Sequence, residues 1–442
     1  MKIGLSEHFT FSKLLRFVLP SIVMMIFTSI YGVVDGLFVS NYAGKTAFAA
    51  VNFIMPFLMM LGSIGFMVGT GGSAIVAKTL GEGQKKKASQ YFSLFVYITL
   101  AVGVFLSITG IIFIENIASL LGAEGELLEN CVLYGRIILL TLPAFMLQNV
   151  FQSFFVTAEK PHFGLLFTIG AGVANMILDY IFVAVLGFGI VGAAVATCTA
   201  EIIGGFLPLL YFLSKNTSLL RLGKTKFYGA MLLRACLNGS SEFLTNISMS
   251  LVNMIYNIQL MKYAGENGVA AYGVVMYVNF IFVSIFIGYS IGSAPIVGFH
   301  YGAGNHTELK NLLKKSLILV AVFACVLSII SKLLAAPLAN IFVGYDTALY
   351  ELTVTAFTIY SMSYFLMGFN IYASSFFTAL NNGIVSGVIS FLRTLVFQLI
   401  VVLLLPLLLG IDGIWMSVVI AELLAFVVSV IFLVVMKKRY HY

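Results

Sequence analysis

Apolar residues fill most of the chain, and short polar breaks divide it into stretches of roughly membrane-spanning length. A helix needs about 20 apolar residues to cross the hydrocarbon core of a bilayer. The run from Leu395 to Leu409 lacks the alternation of apolar and polar positions that a membrane-spanning β-strand shows. The pattern therefore predicts an all-α integral membrane protein with about twelve transmembrane helices, near residues 14–40, 47–77, 91–114, 130–157, 162–186, 190–213, 231–262, 268–299, 312–331, 351–379, 384–409 and 412–436.

The chain contains an internal repeat of half its own length. The tripeptide Tyr-Ala-Gly at 42–44 reappears at 263–265, a shift of 263 − 42 = 221 residues in a chain of 442. The same shift relates Gly81 to Gly302, Thr157 to Thr378, Gly189 to Gly410 and Glu201 to Glu422. Six spans return a chain to its starting side, so the halves should be related by a pseudo-two-fold axis along the membrane normal. We expect six-helix bundles at 1–213 and 229–442, joined by a cytoplasmic linker at 214–228.

Composition and charge agree with this reading. Hydrophobic residues make up 61% of the chain and charged residues 9%, whereas a soluble domain carries roughly 25% charged residues. The net charge of +7 does not require a nucleic acid, because the basic residues cluster beside alternate breaks: Lys2, Lys13, Arg16, Lys78, Lys85, Lys86, Lys87, Lys160, Lys215, Arg221, Lys224, Lys226, Arg234, Lys310, Lys314, Lys315, Lys437, Lys438 and Arg439. Such residues stay on the cytoplasmic side, so we expect a multi-pass cell-membrane protein with both termini in the cytoplasm.

The predicted spans contain few ionisable side chains away from the membrane surface, and those of interest are Asp35, Asp179, Glu201, Glu242, Arg393 and Glu422. A central Asp or Arg costs about 2.5–3.5 kcal/mol on insertion scales, so each is a functional candidate. Asn175 and Asp179 lie one turn apart on one face of helix 5, and with Asp35 of helix 1 they would form an oxygen-rich pocket. Low polarity disfavours a charged carboxylate, so the pocket would bind H⁺, or Na⁺ through its oxygens. The alternative is that these groups only bond across helices for packing.

The other four ionisable residues have less specific roles. Glu201 and Glu422 occupy equivalent positions in the two halves, which indicates a shared duty such as pairing near a helix end or facing a wet cavity. Glu242 and Asn246 belong to a start of helix 7 that is too polar to face lipid, so we expect it to line water or a cavity. Arg393 would pair with one of the acids or contact a substrate.

A central cavity between the two bundles is the expected substrate site, and rocking of one bundle against the other would give alternating access. Aromatic rings and thioethers suit flat, lipophilic cations. The candidate cavity residues are Tyr31, Glu242, Asn246, Met254, Tyr277 and Arg393. The histidines and cysteines show no metal-ligand spacing, so no metal or other cofactor is assigned beyond the coupling ion.

Several short motifs accompany the two repeats. Helix 1 carries Pro20 and then Val-Asp-Gly at 34–36, and a glycine-rich segment runs from 65 to 83. The second half has matching motifs at 292–295 and 301–305. In these features, and over essentially its whole length, the chain resembles the multidrug and toxic compound extrusion (MATE) family of secondary transporters, nearest its Gram-positive drug-efflux branch.

The resemblance implies a V-shaped pair of bundles that exports cationic drugs in exchange for H⁺ or Na⁺, and hence a role in antibiotic resistance. It also implies a first-half cation site formed by Asp35, Asn175, Asp179 and Thr197. Some members of the family instead use second-half acids in helices 7 and 10. Here helix 10 carries neutral Asn370, which shifts the expectation to the first half. We expect a monomer that acts on small organic cations in the lipid bilayer.

Two alternatives belong to other classes of function. A lipid-linked oligosaccharide flippase of the same superfamily would need a basic central cavity for pyrophosphate, and Arg393 is nearly the only intramembrane cation. A membrane-embedded enzyme would need clustered nucleophiles or metal ligands on one helix face, and none is found in the sequence. The sequence favours a transporter over an enzyme.

Overall fold

The computed structural model describes residues 3–442, so Lys2, one of the basic residues used above, lies outside the described residues. No β-strand occurs in this range, and eleven helical segments are long and apolar enough to cross a membrane. We number the membrane helices α1 (Phe11–Ala43), α2 (Lys45–Gly81), α3 (Lys85–Leu120), α4 (Gly125–Thr157), α5 (Pro161–Val185), α6 (Gly189–Leu213), α7 (229–264), α8 (266–302), α9 (His306–Val343), α10 (Thr347–Ala379), α11 (Gly383–Leu409) and α12 (Ile411–Val435). The short helix α13 (Lys437–Tyr440) follows.

Helices α7 and α8 share one continuous segment, Ser240–Gly302, of 63 residues. A helix of that length would extend about 95 Å, three times the thickness of a bilayer core. The segment turns back at Gly265, which has φ +61° and ψ −150°. Its repeat equivalent, Gly44 with φ +95°, separates α1 from α2 in the first half. Dividing the segment at Gly265 raises eleven spans to twelve, so the predicted helix count is confirmed.

The observed helices are longer than the predicted spans at several ends. The span predicted at 91–114 belongs to a helix that runs over Lys85–Leu120, and the span predicted at 312–331 to His306–Val343. The hydrophobic pattern reports only the part of a helix that meets lipid. Hydrogen bonding along the backbone continues the helix through the polar residues at the membrane surface.

The two halves meet through a pair of reciprocal glycine contacts between α2 and α8. A Cβ atom on Gly81 would lie 2.0 Å from the carbonyl oxygen of Phe299, and one on Gly302 would lie 2.1 Å from that of Lys78. The repeat shift of 221 residues carries Gly81 to Gly302 and Lys78 to Phe299. The two contacts are therefore equivalent under the repeat, as a pseudo-two-fold axis between the halves requires.

A second pair of contacts follows the same symmetry. A Cβ on Gly71 of α2 would lie 2.6 Å from the backbone nitrogen of Gly239 in α7, and the repeat shift carries Gly71 to Gly292. In the other half, Val18 of α1 packs against Gly292 of α8, and the repeat shift carries Val18 to Gly239. Each half thus places its first helix against the second helix of the other half.

These contacts lie toward the face that carries residues 3–10, the connection 214–228 and residues 436–442, which we call the terminal face. Here the N-terminal segment joins the two halves. The backbone N–H of Leu5 donates to Oε1 of Glu159 at 2.7 Å, and that of Phe9 donates to Oε1 of Glu308 at 2.9 Å. Lys315 Nζ also donates to the Phe9 carbonyl oxygen at 2.6 Å. The halves are closed against each other on the terminal face.

The glycine contact gives a first prediction. We expect Gly302→Ala to lower the stability of the folded protein by about 1–3 kcal/mol, the usual range for overpacking, because its methyl group must displace backbone of α2. The measurement is the apparent Tm of purified protein in detergent. Gly170→Ala is the matched control, since a Cβ there meets nothing within 4 Å. Equal Tm values for Gly302→Ala and the wild type would contradict the prediction.

Candidate cation and substrate site

A cavity of about 520 Å³ lies mainly within the first half. Its walls come from the second part of α1, the first part of α2, and parts of α4, α5 and α6, with Tyr277 and Phe280 of α8 closing one side. Since α1 begins at the terminal face, these wall segments lie toward the opposite face. The volume falls within the range of about 300–1,000 Å³ typical of pockets for drug-sized ligands.

The structure brings together all four residues predicted to bind the coupling ion. Asp35 of α1 interacts with Asn175 and Asp179 of α5 and with Thr197 of α6. Asp179 is fully buried, and Asn175 is 2% exposed. Asp35, Asn175 and Thr197 also line the cavity. The cluster therefore connects three helices of the first half and borders open space.

Five oxygen atoms of this cluster are buried without a hydrogen-bond partner in the described part of the chain: Asp35 Oδ1, Asn175 Oδ1, both carboxylate oxygens of Asp179, and Thr197 Oγ1. An unpaired buried polar group costs about 1–3 kcal/mol, and more when it is charged. Binding of a proton or a small hard cation would remove this cost. The donor set is thus suited to H⁺ or to Na⁺.

The local sequence explains how these side chains meet. A Cβ on Gly172 of α5 would lie 2.6 Å from the ring of Phe27 and 2.7 Å from that of Tyr31, so only glycine allows α5 this close to α1. Asn175 and Asp179 follow three and seven residues later and share the face of Gly172. The helix then widens into a π-helical turn, Tyr180–Val185, a feature frequent at functional sites.

The second half uses its charged residues differently. Arg393 Nε donates to both carboxylate oxygens of Glu422, at 2.9 and 3.0 Å. Asn370 Nδ2 donates to Oε2 of Glu422 at 2.7 Å, and Ser429 Oγ donates to Oδ1 of Asn370 at 3.0 Å. Glu422 is 2% exposed. The partner of Arg393, left open by the sequence, is therefore Glu422 in a buried and hydrogen-bonded ion pair.

The second-half counterpart of the ion cluster is neutral. The repeat shift carries Asp35 to Tyr256, whose hydroxyl donates to Gln398 Oε1 at 2.8 Å. The Tyr256 ring stacks on Tyr272 with centroids 5.3 Å apart. A position that holds an unpaired carboxylate in the first half holds a paired phenol in the second.

The candidate substrate residues divide into two groups. Tyr31 and Tyr277 line the cavity, whereas Glu242, Asn246, Met254 and Arg393 do not. Asn246 Nδ2 donates to the Glu242 carbonyl oxygen at 2.8 Å, and Glu242 lies in the electrostatic field of Arg393. Met254 is 62% exposed. The structure also places Glu201 in the cavity wall, whereas the sequence left two roles open for it, pairing near a helix end or facing a wet cavity.

Comparison with known proteins identifies the family. The MatE family model matches residues 20–181 and 243–404, which together cover more than half of the chain. The chain belongs to the MatE family. The two matches are offset by 243 − 20 = 223 residues, close to the repeat shift of 221. The family resemblance predicted from the sequence is confirmed, and the MatE chain is a membrane transporter rather than an enzyme.

Similar curated proteins are multidrug export proteins. The MatE chain is 26% identical over 321 residues to the multidrug export protein MepA of Staphylococcus haemolyticus, covering 72% of the chain and 71% of the relative. It is 22% identical over 431 residues to MepA of Staphylococcus aureus MRSA252, covering 97% and 94%. Both relatives are named for drug export.

Solved structures show the same fold. A MATE protein in complex with MaL6 aligns with a TM-score of 0.93 at 22% identity, covering 98% of each chain. An outward-facing multidrug resistance MATE family transporter of the MOP superfamily aligns with a TM-score of 0.92 at 23% identity, covering 98% of this chain and 97% of that one. The predicted architecture of two six-helix bundles is confirmed by this two-lobed, twelve-helix fold.

The buried ion pair gives a second prediction. We expect Arg393→Met to lower stability by about 3–5 kcal/mol because it leaves Glu422 buried without a countercharge, and we expect Arg393→Met combined with Glu422→Gln to recover most of that loss. The measurement is the apparent Tm in detergent. Arg136→Met is the control, since Arg136 and Glu115 form a 3.6 Å pair with side chains 51% and 65% exposed, worth about 0–1 kcal/mol. A double variant no more stable than Arg393→Met would count against this account.

Proposed function

We propose that this MatE protein exports lipophilic organic cations in exchange for H⁺ or Na⁺ by alternating access. The observation that carries the proposal is the group of five unpartnered buried oxygens beside a drug-sized cavity. The names of the MepA relatives supply the direction of transport, which is export.

The charge of the cavity favours a cation over the pyrophosphate of a lipid-linked sugar. Within residues 3–442, the lining includes Asp35 and Glu201 and no Lys or Arg. A pyrophosphate group in such a cavity would meet only like charge, which repels it. The lining supports drug-cation export, and the flippase alternative gains no support from it.

The position of Asp35 suggests how ion binding acts on the contact between the halves. Asp35 lies on α1, which also packs across the interface on α8, where Ser29 Oγ donates to the Phe280 carbonyl oxygen at 3.2 Å. A ligand shifts a conformational equilibrium only by its difference in affinity for the two states. Ion binding that draws α1 toward α5 and α6 in one state would therefore change the fit of α1 against α8.

The proposed movement is a rocking of residues 1–213 against residues 229–442, with 214–228 as the linker. We assign the terminal face to the cytoplasm, where the basic residues concentrate, so the state described here is open to the outside. Opening toward the cytoplasm would then separate Gly81 from Phe299 and release the N-terminal segment from Glu308. A single chain contains both bundles, so the proposed unit of transport is a monomer.

The coupling assignment gives a third prediction. We expect Asp35→Asn and Asp179→Asn each to reduce ethidium efflux from intact cells at least tenfold at normal expression, because an amide cannot gain and lose a charge in the transport cycle. Glu126→Gln is the control, since Glu126 is exposed in the first turn of α4 and remote from the cavity. Wild-type efflux by both variants would overturn the assignment.

The identity of the ion is tested in proteoliposomes. Purified protein is given either a pH gradient or a Na⁺ gradient, and uptake of the same cation is followed. We expect one gradient to drive uptake and the other to have no effect. Uptake that is unaffected by either gradient would mean that the protein is not an ion-coupled exchanger.

A further inference from the structure

We propose that Glu201, in the wall of the cavity, provides the negative charge that binds the cationic group of the substrate, at a site separate from the ion cluster. The inference rests on the proposed function and adds the recognising residue and the class of ligand. That class is an organic cation with N–H donors, such as a protonated amine or an amidinium.

Glu201 lies one helical turn beyond Thr197 on the same face of α6. Four residues of helix advance by about 6 Å along the axis, and α6 runs toward the terminal face. Glu201 is therefore deeper in the cavity than the ion cluster. It is 6% exposed and belongs to the cavity wall.

The carboxylate of Glu201 has a hydrogen bond but no cationic partner. Thr141 Oγ1 donates to Glu201 Oε2 at 2.5 Å. No Lys, Arg or His of residues 3–442 forms an ion pair with Glu201. Its repeat equivalent, Glu422, is paired with Arg393. Two acids at the same place in the fold thus have opposite arrangements, one neutralised by the protein and the other facing a cavity without a countercharge.

Two amide side chains in the wall of the same cavity have unused hydrogen-bonding atoms. Asn149 Nδ2 and Gln152 Oε1 of α4 are buried without a partner in the described range, and both residues line the cavity. They lie three residues apart and so share a helix face. Asn149 is 3% exposed and Gln152 is 5% exposed. Buried amides seldom leave such atoms unpaired. Gln152 follows Thr141, the residue that bonds to Glu201, by 152 − 141 = 11 residues, about 16 Å along α4. It therefore offers a second acceptor to the far end of an elongated ligand that is held by Glu201.

Aromatic residues provide the apolar part of the same site. Tyr31 lies in the electrostatic field of both Glu201 and Asp35 and interacts with the Gln148 side chain. Phe145 and Phe66 also line the cavity. A flat aromatic cation can stack on such rings while its N–H groups reach the carboxylate. The cavity wall therefore combines the charge of Glu201, two amides and ring faces.

The location of Glu201 relative to the ion cluster explains exchange. Asp35 and Glu201 border the same cavity, so a positive charge on one carboxylate opposes a second positive charge on the other in a medium of low polarity. Binding of the coupling ion at Asp35 would lower the affinity of Glu201 for the cationic substrate. Two separate binding sites that share one electrostatic field therefore disfavour simultaneous binding of the ion and the substrate, which is the behaviour that antiport requires.

The test measures equilibrium binding to purified full-length protein by calorimetry with two probes. One is 4′,6-diamidino-2-phenylindole, whose amidinium groups carry N–H donors, and the other is tetraphenylphosphonium, which has none. We expect Glu201→Gln to weaken binding of both probes at least tenfold and Glu201→Asp to restore part of it. Glu126→Gln, outside the cavity, serves as the charge-matched control.

Gln152→Leu separates hydrogen bonding from charge. We expect it to weaken binding of the amidinium probe at least threefold and to leave tetraphenylphosphonium within twofold. It also serves as the second variant if Glu201→Gln does not fold. Equal loss for both probes would overturn the assigned class of ligand.

The outcomes distinguish the inference from the function on which it rests. If the wild type binds the probes and Glu201→Gln, still monodisperse, binds them equally well, the role of Glu201 is wrong and export can stand. If the wild type neither binds nor transports either probe, the proposed function itself fails. Coupling-ion binding, followed as an ion-dependent rise in Tm, should persist in Glu201→Gln, and its loss would contradict separate sites.

Discussion

A charge or an unpaired polar atom inside a membrane is costly, and the arrangement of this protein follows from how each one is compensated. In the second half, Arg393 and Asn370 satisfy Glu422 permanently with groups of the protein itself. In the first half, the oxygens of Asp35 and Asp179 are left for something that arrives and departs. The protein itself supplies the partner of Glu422, whereas in the proposed mechanism the unpaired oxygens of the first half make that bundle respond to an ion.

The duplication makes this difference visible because the repeat gives positions in one half equivalents in the other. The repeat shift relates Asp35 to Tyr256 and Glu201 to Glu422, and the reciprocal contacts of Gly81 and Gly302 show that the correspondence holds in space. The two bundles have therefore kept their packing and diverged in their chemistry. In the proposed mechanism, one half carries the exchangeable groups, and the other is the partner against which the first moves.

Much of this could be predicted from the sequence because it depends on spacing along one helix. The number of spans follows from the length of apolar runs, and the Asn175–Asp179 pair follows from the pitch of a helix. The partner of Arg393 could not be predicted, since both Glu242 and Glu422 were possible partners. Which of them Arg393 meets depends on the rotation of its helix, α11, and that rotation is set by packing. The position of Glu201 one helical turn beyond Thr197 follows from the pitch of a helix. Its lack of a cationic partner depends on which side chains the neighbouring helices place beside it, and this the sequence does not show.

Helix α1 connects the ion cluster to the interface between the halves. Asp35 and Val18 are 17 residues apart, about 25 Å along the helix, and Val18 packs on Gly292 of α8. Moving a two-state equilibrium from 1:99 to 99:1 takes about 5.5 kcal/mol. Each unpaired oxygen costs about 1–3 kcal/mol, and five lie within the cluster of Asp35, Asn175, Asp179 and Thr197. In the proposed mechanism, satisfying two or three of these oxygens in one state only would supply a difference of this size, so binding of a single ion would shift which side of the protein is open.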